Sequence, residues 1–513
     1  MFTSRVLYDA LGARLDAEFY HPDYRANERR LKGCSVSTVP LRQVAKKLKC
    51  GPFGSSLHAE DYVAGGVPFV HPTCFSRGYF DSAKLLTISA EDSDRLRSTE
   101  FKSPALIFTR VGEPECCVVP ANLGRFNIHG DVIGVETASG SDPFFISAFY
   151  ESRTGLIELR RYQAGSTRPR TNTDSLAETL VLQPDLRVQT YIGDMVRRAE
   201  QLRERARLLE AEVDACHAKR IPTQEGLHFA KRTRRVSIAL LTERMDAHFY
   251  PGVVEQYKAR QAFGWTTLRS LCISVRTGIT LPDTVGETSV RQATVANLSR
   301  NFLYGQYRRV DRPRKLDGQL GSHDLLFCDA AHTKNYIGKE ICYSHKQDGI
   351  FPSTEVMVIT VDRKKIPASY VRAYLLTKVG YVQLQSTIRG ISAHSYPADV
   401  ARLEIPVPVV SECDRDEWFK TDDLMLAAGT ANETATILIT AAKHLVEALI
   451  DGKVTEADFV QAQEALERHD RGSDRALLAR LTAQGMDVAG AKPLFPDLDK
   501  LYELLDQNDG EDE

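Results

Sequence analysis

One seven-residue phrase occurs twice in this chain, as RLDAEFY at residues 14–20 and as RMDAHFY at residues 244–250. Other landmarks recur in the same order at a similar separation of 224 to 227 residues: Leu41 and Leu268, Gly51 and Gly278, and Pro184 and Pro408. A separation that drifts slowly and keeps its order is typical of a duplicated domain with a few loop insertions. The sequence therefore predicts two copies of one unit, followed by a tail.

Each copy ends in a stretch with the heptad spacing of a coiled coil. From Val188 to Cys216, apolar or small residues alternate four and three positions apart, with arginine and glutamate between them. The second stretch keeps the same spacing from Leu424 to Leu449 and is rich in alanine. Each helix alone could lie on its own domain, but two helices of matching length with complementary seams favour an antiparallel pair.

Capping signals mark the ends of the predicted helices. We expect Asp185 to cap the first long helix and Pro222 to end it, and a capping box over residues 414–417 to begin the second. In the tail, Thr455 and Asp458 have capping-box spacing at the start of the first of three short helices. These short helices are too few for a large core, so we expect them to pack on the coiled coil or on a partner.

Inside each copy, short apolar strands alternate with Gly and Pro turns, and the stretch 143–162 is predicted to be one helix. The predicted fold class is α+β: two tandem mixed α/β domains separated by an antiparallel two-helix coiled coil, with a small helical C-terminal extension. The predicted boundaries are 1–185 for the first domain, 186–222 for its helix, 223–412 for the second domain, 413–451 for its helix, and 452–513 for the acidic extension.

Composition limits where the chain acts. The first residues carry charge and lack a continuous apolar core, so we predict no signal peptide, and no apolar run is long enough for a membrane span. Ten cysteines without a C-x-x-C motif indicate reduced thiols in a cytoplasm. The net charge of −2 is an average, because the strongly acidic C-terminus hides a more basic body.

The sequence lacks the motifs of the common DNA-modifying chemistries. It has no Asn/Asp-Pro-Pro-aromatic tetrapeptide for a flipped adenine, no glycine-rich cofactor loop and no P-loop lysine motif. The histidines form no ligand-spaced pair on a predicted helix. We therefore predict no catalytic residue, no metal site and no cofactor, and a recognition scaffold whose chemistry belongs to partners.

One ordered set of motifs carries a family resemblance over residues 14–450. GPFGSSL, VPFVHP, LIFTRVGEP and GSTRPRTN, then a strand that ends in proline and a heptad helix, resemble one half of the DNA-specificity (S) subunit of type I restriction-modification systems. The second half departs from this pattern, with CDAAHTKN in place of the TRVGEP region and GISAHSY in place of GSTRPRT.

The resemblance implies a bacterial, cytoplasmic, non-catalytic subunit of an anti-phage system that directs DNA methylation. Each repeat would be a target-recognition domain that reads one half of a split site on double-stranded DNA. The paired helices would be a spacer and a docking surface for two DNA methyltransferase subunits, with a restriction and motor subunit as a further partner. Divergence between the halves implies two different half-site sequences.

Residue chemistry then gives candidate DNA contacts, because Arg and Lys suit phosphates and guanine, and Asn suits adenine. A solvated loop residue is the plainer interpretation of each candidate alone, but their recurrence in both repeats favours DNA contact. The candidates are Ser55, Arg110, Ser166, Thr167, Arg168, Arg170 and Asn172 in the first repeat, and Arg276, Lys334, Asn335, Arg389 and His394 in the second. The run KRTRR at 231–235 is interpreted as a solvated linker that could also touch the DNA backbone.

Two other classes of function remain open from the sequence. The chain could be the DNA-recognition component of another anti-phage assembly, or a coiled-coil adaptor whose loops bind protein. Salt dependence separates DNA binding from the adaptor, because affinity that rests on phosphate contacts falls steeply as salt rises. If the helices set the spacing of the half-sites, a seam of about 40 Å corresponds to roughly 10–12 base pairs.

Overall fold

The computed structural model divides the chain into two compact units. The first unit comprises Met1–Arg203 and Glu433–Glu513, and the second comprises Glu204–Asn432. The structure describes residues 14–52, 57–76, 78–165, 167–227, 229, 238, 241, 244–260, 263–284, 289–314, 318–345, 349–390 and 392–509.

The first unit is built on two four-stranded sheets. One has the strand order β2-β9-β6-β7 and is antiparallel, and the other has the order β4-β3-β8-β5, with β3 and β8 parallel. The strands are β1 (Thr38–Pro40), β2 (Ala45–Cys50), β3 (Tyr62–Val70), β4 (Leu86–Ile88), β5 (Glu100–Lys102), β6 (Ala105–Thr109), β7 (Cys116–Val119), β8 (Arg125–Ile128), β9 (Val132–Thr137) and β10 (Leu180–Leu182). The helices are α1 (Pro22–Gly33), α2 (Leu41–Val44), α3 (Ala90–Arg95), α4 (Pro143–Glu151), α5 (Arg153–Arg161), α6 (Thr173–Ala177) and the long α7 (Leu186–Ala218), which continues into the second unit.

The core of the first unit lies between its two sheets. Residues 105–108 of β6 are apolar and buried without alternation, as expected of a strand that is covered on both faces. Phe101 of β5 packs on β9 where Gly134 has no side chain, and a Cβ there would lie 2.6 Å from the Phe101 ring. Phe101 and Phe126 stack with their ring centroids 6.0 Å apart in the same cluster.

The second unit repeats this arrangement. Its sheets have the orders β12-β18-β15-β16 and β14-β13-β17, and β13 and β17 are parallel, like β3 and β8. The strands are β11 (Gly264–Thr267), β12 (Cys272–Thr277), β13 (Val290–Ala293), β14 (Arg308–Val310), β15 (Leu325–Cys328), β16 (Cys342–Tyr343), β17 (Ile350–Pro352), β18 (Val356–Val361) and β19 (Glu404–Val407). The helices are α8 (Gly252–Arg260), α9 (Leu268–Leu271), α10 (Ala368–Leu376), α11 (Lys378–Ser386), α12 (Pro397–Val400) and α13 (Glu412–Ile450), which returns to the first unit. The predicted duplication and the α+β fold class are confirmed.

The repeated phrase has the same structural role in both units. Arg14 donates to the carbonyl oxygens of Tyr162 and Gln163, each at 3.3 Å, just beyond the end of α5. Arg244 donates to two carbonyls beyond the end of α11, at residues 387 and 388, over 3.1 and 3.3 Å. These carbonyls follow the last helical turn, where backbone acceptors lack intrahelical donors. The phrase therefore fastens the start of each repeat to the end of a helix.

The prediction of one helix over 143–162 was wrong. The chain forms α4 and α5 with a break at Ser152, whose hydroxyl accepts the backbone N–H of Gly155 at 3.1 Å and so caps α5. In the second unit Thr377 separates α10 from α11 and accepts from Gly380 at 3.1 Å. A side-chain cap inside an apolar run starts a new helix, and the apolar content alone could not show it.

The seam residues predicted for the long helices are largely buried. In the first unit Met195 of α7 and Leu438 of α13 line one cavity, and in the second unit Asn432 of α13 donates to Glu210 of α7 at 3.5 Å. In the second unit His217 of α7 reaches Thr421 of α13 through Ser369, over 3.1 and 3.0 Å, while Glu210 lies beside Asn432, so the two helices are antiparallel there. The buried seam residues are Val188, Ile192, Met195, Ala199, Leu202, Ala206, Val213, Cys216, Ala428, Ala431, Ala435, Leu438, Ala442, Leu445 and Leu449.

The ends of the long helices were predicted in part. Asp185 accepts the backbone N–H of Arg187 at 2.8 Å, as expected for a cap of α7. The helix ends at Ala218, before Pro222. The predicted capping box at 414–417 was wrong, because α13 already begins at Glu412 and the Ser411 hydroxyl accepts the N–H of residue 414 at 3.2 Å.

The extension packs on α7 in the first unit. It contains α14 (Glu456–Glu467), α15 (Gly472–Ala479), a hairpin of β20 (Leu481–Thr482) and β21 (Gly485–Met486), and α16 (Leu498–Asp509). The predicted capping box of Thr455 and Asp458 is present. The Tyr191 hydroxyl donates to the Asp474 carboxylate at 2.6 Å, and Tyr502 donates to its other oxygen. Of the two predicted locations, the structure has the extension on the coiled coil.

Two further observations concern the whole described chain. Its described cysteines are free thiols. No helix in the described part of the chain has both the length and the apolar character that a membrane span requires.

Candidate nucleic-acid interface

The loops that carry the first-repeat candidates meet at one end of the sheet β2-β9-β6-β7. The last residue of β6, Thr109, pairs with Val132 at the start of β9, and the last residue of β2, Cys50, pairs with Ile133. The segments that follow β2 and β6 and the segment that precedes β9 therefore leave the sheet at the same end. Arg110 follows β6 directly and lies at this end, which we call the first loop end.

A hairpin is fixed to the first loop end by backbone hydrogen bonds. Ala164 and Arg170 exchange two backbone hydrogen bonds of 2.9 Å, and Gly165 turns the chain with a φ of +100°. The N–H of Gly112 donates to Pro169 at 3.0 Å, and the N–H of Thr171 donates to the carbonyl of Arg110 at 2.9 Å. The structure thus brings Arg110 and Arg170 together through their backbones.

The side chains of the hairpin are exposed. Thr167, Arg168 and Arg170 are all accessible, whereas Arg110 is half-buried and donates to the carbonyl of Gly130 at 2.9 Å. Asn172 is exposed, but its Oδ1 accepts the N–H of Ser175 at 2.7 Å and caps α6. The arginines can therefore reach an external anion or base edge, while part of the hydrogen-bonding capacity of Asn172 is used by the fold. Ser55, Ser166 and the run at 231–235 lie outside the described residues.

Two histidines at the first loop end were missed from the sequence. His71 follows β3 and His129 follows β8, and the parallel pairing of these strands sets the imidazole centroids 4.6 Å apart. Desolvation lowers the pKa of both rings, and for His71 the neighbouring His129 lowers its pKa further. At neutral pH both rings are therefore neutral and can donate or accept hydrogen bonds. The signal was invisible in the sequence because it depends on strand pairing.

The second unit has an equivalent loop end. Arg389 and His394 exchange backbone hydrogen bonds of 2.8 and 3.1 Å and close a shorter hairpin, in which Gly390 has a φ of +74°. The hairpin joins the segment after β15 through a bridge between Ala330 and His394. The N–H of Ser395 donates to the carbonyl of Asp329 at 2.8 Å, as Thr171 does to Arg110. We call this the second loop end.

The chemistry of the second loop end differs from that of the first. Asp329 occupies the backbone position of Arg110, and its N–H donates to the carbonyl of Glu355 at 3.0 Å, as that of Arg110 does to Asp131. Asp329 is buried, and one of its carboxyl oxygens has no hydrogen-bond partner among the described residues. Desolvation, reinforced by Glu355, raises the pKa of Asp329 to about 7. An arginine in one unit is thus replaced by a buried carboxyl with a raised pKa in the other.

One predicted cation of the second repeat, Arg389, forms an ion pair within the protein. Arg389 makes two hydrogen bonds of 2.6 Å to the carboxylate of Asp399, which is buried and also lies 3.4 Å from Arg244. The hydrogen bond to Asp399 raises the pKa of Arg389. The guanidinium is held by a bidentate ion pair, a strong and geometrically specific contact. Sequence gave no indication that this loop cation has an internal partner.

The remaining candidates of the second repeat have different settings. Arg276 lies within β12 rather than in a loop, and its guanidinium donates to the carbonyl of Gln319 at 3.0 Å. Lys334 and Asn335 form an exposed turn whose carbonyls accept from side chains of α11 at 3.1 and 3.0 Å. The His394 ring is exposed and stacks near Tyr396, with 6.4 Å between ring centroids. Imidazole and phenol rings of this kind can contact bases or sugars.

The described residues contain no group of three His, Cys, Asp or Glu side chains that could hold a metal ion. They line a cavity of about 310 Å³ beside Lys339, Lys378 and Tyr381. A cavity of about 40 Å³ lies between α7 and the extension, beside Tyr191, Asp474 and Tyr502. That volume suits about one water molecule rather than a substrate.

Comparison with known proteins gives structural matches. No family model and no curated protein matches the chain. Its structure is similar to the crystal structure of the S subunit of a type I restriction-modification system from M. genitalium, with 12% identity, a TM-score of 0.39, and coverage of 84% of this chain and 96% of that one. It is similar to the HsdS subunit from Thermoanaerobacter tengcongensis, with 15% identity, a TM-score of 0.25, and coverage of 85% and 97%.

A third match is a solved structure that concerns the structural basis of complex assembly and conformational transition in the type I R-M system. It matches with 14% identity, a TM-score of 0.27, and coverage of 81% of this chain and 96% of that one. The chain is thus similar in structure, at low sequence identity, to solved S subunits of type I restriction-modification systems.

Proposed function

We propose that this chain is the sequence-specific DNA-recognition subunit of a type I restriction-modification system. Its two units read the two halves of a split target, and its paired long helices dock DNA methyltransferase subunits. A restriction and motor subunit is a further partner of the same assembly. The chain itself carries no chemistry in this proposal, and it acts in the cytoplasm of a bacterium.

The observation that carries this proposal is the repetition of one backbone frame with different side chains. Both loop ends have a hairpin bonded to the residue that follows the central strand, yet that residue is Arg110 in one unit and Asp329 in the other. The side chains that the two frames expose differ as well, because Arg168 and Arg170 are accessible in the first unit, whereas the second exposes His394 and pairs Arg389 with Asp399. Two similar frames with different accessible side chains suit a target whose halves differ in sequence.

Electrostatics supports DNA rather than protein as the ligand of the first loop end. Arg168 and Arg170 project from a hairpin that is shaped by glycine and proline, and both are exposed. Exposed arginines on a rigid loop suit phosphates and base edges, which are anionic or rich in acceptors. The acidic extension packs elsewhere, on α7, where it does not repel a duplex at the loop end.

Methylation mapping of genomic DNA, in cells with and without an intact copy of this chain, tests the proposal. The expected result is the loss of one split motif whose two halves are separated by a fixed number of unspecified bases. The chain with Arg168→Ala and Arg170→Ala is a useful intermediate, because it should relax one half of that motif. An unchanged methylation pattern, together with DNA binding that does not weaken as salt rises, would contradict the proposal and favour a protein-binding adaptor.

A further inference from the structure

An exposed cluster of arginines lies on the edge strand β14 and the segment that follows it. We define the β14 arginine patch as Arg291, Arg309, Arg312 and Arg314. Arg309, Arg312 and Arg314 are exposed, and the structure shows no ion-pair partner for these three among the residues that it describes. Arg308, next to them, is already paired with Asp283. The sequence RRVDRPR at residues 308–314 supplies three of these arginines.

The pairing of β13 with β14 brings two positive charges face to face. Arg291 of β13 is directly opposite Arg309 of β14 in an antiparallel register. Side chains at such positions have their Cβ atoms about 5 Å apart, and like charges there destabilise a sheet. Arg291 also lies over the Tyr307 ring at 5.6 Å. The register thus places Arg291 beside Arg309 in the patch.

The patch is joined to the second loop end by the chain itself. The segment 279–284 follows Gly278, where the chain leaves β12 at the second loop end. Its last residues run along β14. Its backbone is held there by hydrogen bonds from Asp311 to Pro282 at 2.9 Å and from Thr284 to Arg309 at 3.2 Å. An isolated bridge between Asp283 and Val310 completes the contact. This short segment therefore connects the second loop end to the patch along the chain.

The first unit has no such arginines at the matching strand. β4, with the sequence LTI, pairs with β3 as β14 pairs with β13, and its residues are uncharged. The hairpins differ in the opposite sense, because Arg168 and Arg170 of the first are exposed while Arg389 of the second is held by Asp399. Of the arginines compared here, those without an ion-pair partner among the described residues lie on the hairpin in the first unit and on β14 and the segment after it in the second.

We propose that the β14 arginine patch binds backbone phosphates of double-stranded DNA. The second unit then holds the duplex by its sheet edge and leaves its hairpin to contact bases, whereas the hairpin of the first unit serves both purposes. This inference rests on the proposed function, since it takes DNA as the ligand of the second loop end. It assigns a DNA contact to four residues outside the candidates that the sequence indicated.

The test measures how the affinity for DNA depends on salt. The full-length chain with Arg309→Gln, Arg312→Gln and Arg314→Gln is titrated with a duplex of arbitrary sequence at several salt concentrations. Binding of this kind is electrostatic, and the slope of log K against log salt changes by about 0.9 for each phosphate contact. We expect the slope to become shallower by about 2 to 3 when three contacts are lost. Arg291 is left unchanged because it packs on Tyr307.

A matched control removes three cations from the other sheet of the second unit, at the end away from the second loop end. β12 begins at Cys272 and β18 ends at Val361, and the exposed residues Arg269, Lys364 and Lys365 flank that end. Their replacement by glutamine changes the net charge by the same amount, and we expect the salt slope to stay within error of the unchanged chain. Equal effects of the two triple variants would show that net charge alone acts, and would overturn the patch.

Two other outcomes are informative. Exposed arginines can also act only by keeping copies of the chain apart through charge repulsion. If that were their only role, the patch variant would associate in size-exclusion chromatography while its monomer kept the original slope, and the inference would be wrong. If the unchanged chain bound duplex DNA without any salt dependence, the proposed function itself would fail, before the patch was tested.

Discussion

Glu158 of α5 and Gln383 of α11 accept equivalent backbone hydrogen bonds, one in each unit. Glu158 Oε1 accepts the N–H of Leu180 at the start of β10, and Gln383 Oε1 accepts that of Glu404 at the start of β19, both at 3.0 Å. The glutamine also donates to the carbonyl of residue 404 at 3.0 Å. The second carboxyl oxygen of Glu158 has no hydrogen-bond partner among the described residues. Glu158 thus occupies the position of Gln383, whose side-chain amide pairs with both the N–H and the carbonyl of Glu404.

The first prediction concerns Glu158→Gln. Desolvation raises the pKa of Glu158 to about 7, so the folded state binds a proton that the unfolded state has released above pH 4.5. Wild-type stability should therefore fall as pH rises from about 4.5 to 7, and the loss persists at higher pH. The variant lacks this loss, and its gain over wild type at pH 8 should reach about 3 kcal/mol at most. Denaturant unfolding at pH 5 and pH 8 measures the difference.

The reverse change, Gln383→Glu, is the matched control for that prediction. It places a carboxyl in the equivalent buried position of the second unit, so it should introduce the same kind of pH dependence there. The expected sign is a loss of stability at pH 8 relative to pH 5. A Glu158→Gln variant whose difference from wild type is the same at both pH values would show that Glu158 is already ionised in the folded protein.

The second prediction concerns the hairpin of the first unit. Arg168→Ala together with Arg170→Ala should relax the base preference at one half-site and leave the other unchanged. Each lost bidentate contact costs roughly 1–3 kcal/mol of discrimination. Selection of bound sequences from randomised duplexes measures both halves at once. Arg153→Ala, an exposed change at the start of α5, is the control and should leave both halves intact. Equal relaxation of both half-sites would identify the two arginines as phosphate or structural contacts.

The third prediction concerns Gly51 and Gly278, the glycines paired by the sequence repeat. A Cβ on Gly51 would lie 2.2 Å from the carbonyl oxygen of His129, and one on Gly278 would lie 2.2 Å from that of Pro352. Backbone cannot move away as a side-chain end can, so Gly51→Ala should destabilise the protein by about 1–3 kcal/mol. It should also disturb reading of only one half-site. Gly33→Ala is the control, because a Cβ there meets nothing within 4 Å. Equal stability of the two variants would contradict the close approach.

The fourth prediction concerns Asp399, which binds two arginines of the second unit. Asp399→Ala removes the carboxylate that holds Arg389 and lies 3.4 Å from the buried Arg244. Loss of one partner of a buried ion pair typically costs about 3–5 kcal/mol, and the partial exposure of Arg389 places our expectation near 3 kcal/mol. The exposed Asp416→Ala serves as control and should change the free energy of unfolding by less than about 0.5 kcal/mol. A loss below about 1 kcal/mol for Asp399→Ala would show that solvent replaces the carboxylate.

What the sequence could predict depended on how local the signal was. The heptads from Val188 and from Leu424 predicted the long helices to within a few residues, because a seam is written in consecutive turns of one helix. The break at Ser152 was missed, since a single hydroxyl that accepts from Gly155 decides it against an apolar background. The repeated phrase indicated a duplication, but its role as a clamp on the end of α5 needs contacts across almost 150 residues.

The sequence predicted which loops carry the candidate residues, but not which residues their side chains contact. Arg110 and Arg170 share one end of a sheet because strand register brings their loops together. Register also brings His71 beside His129, and it sets Arg291 opposite Arg309, and neither pair can be recognised without it. Arg389 looked like Arg170 in the sequence, yet Asp399 already holds it. Whether these residues contact DNA remains a prediction.

The extension on α7 has a consequence for any partner that recognises the long helices. A duplicated chain would offer such a partner two equivalent binding sites, one in each unit. Here α14–α16 lie in the first unit, where the extension covers α7 beside Tyr191. A partner that recognises the long helices would therefore meet a covered surface at that position. The C-terminal residues thus make the two repeats unequal as binding surfaces.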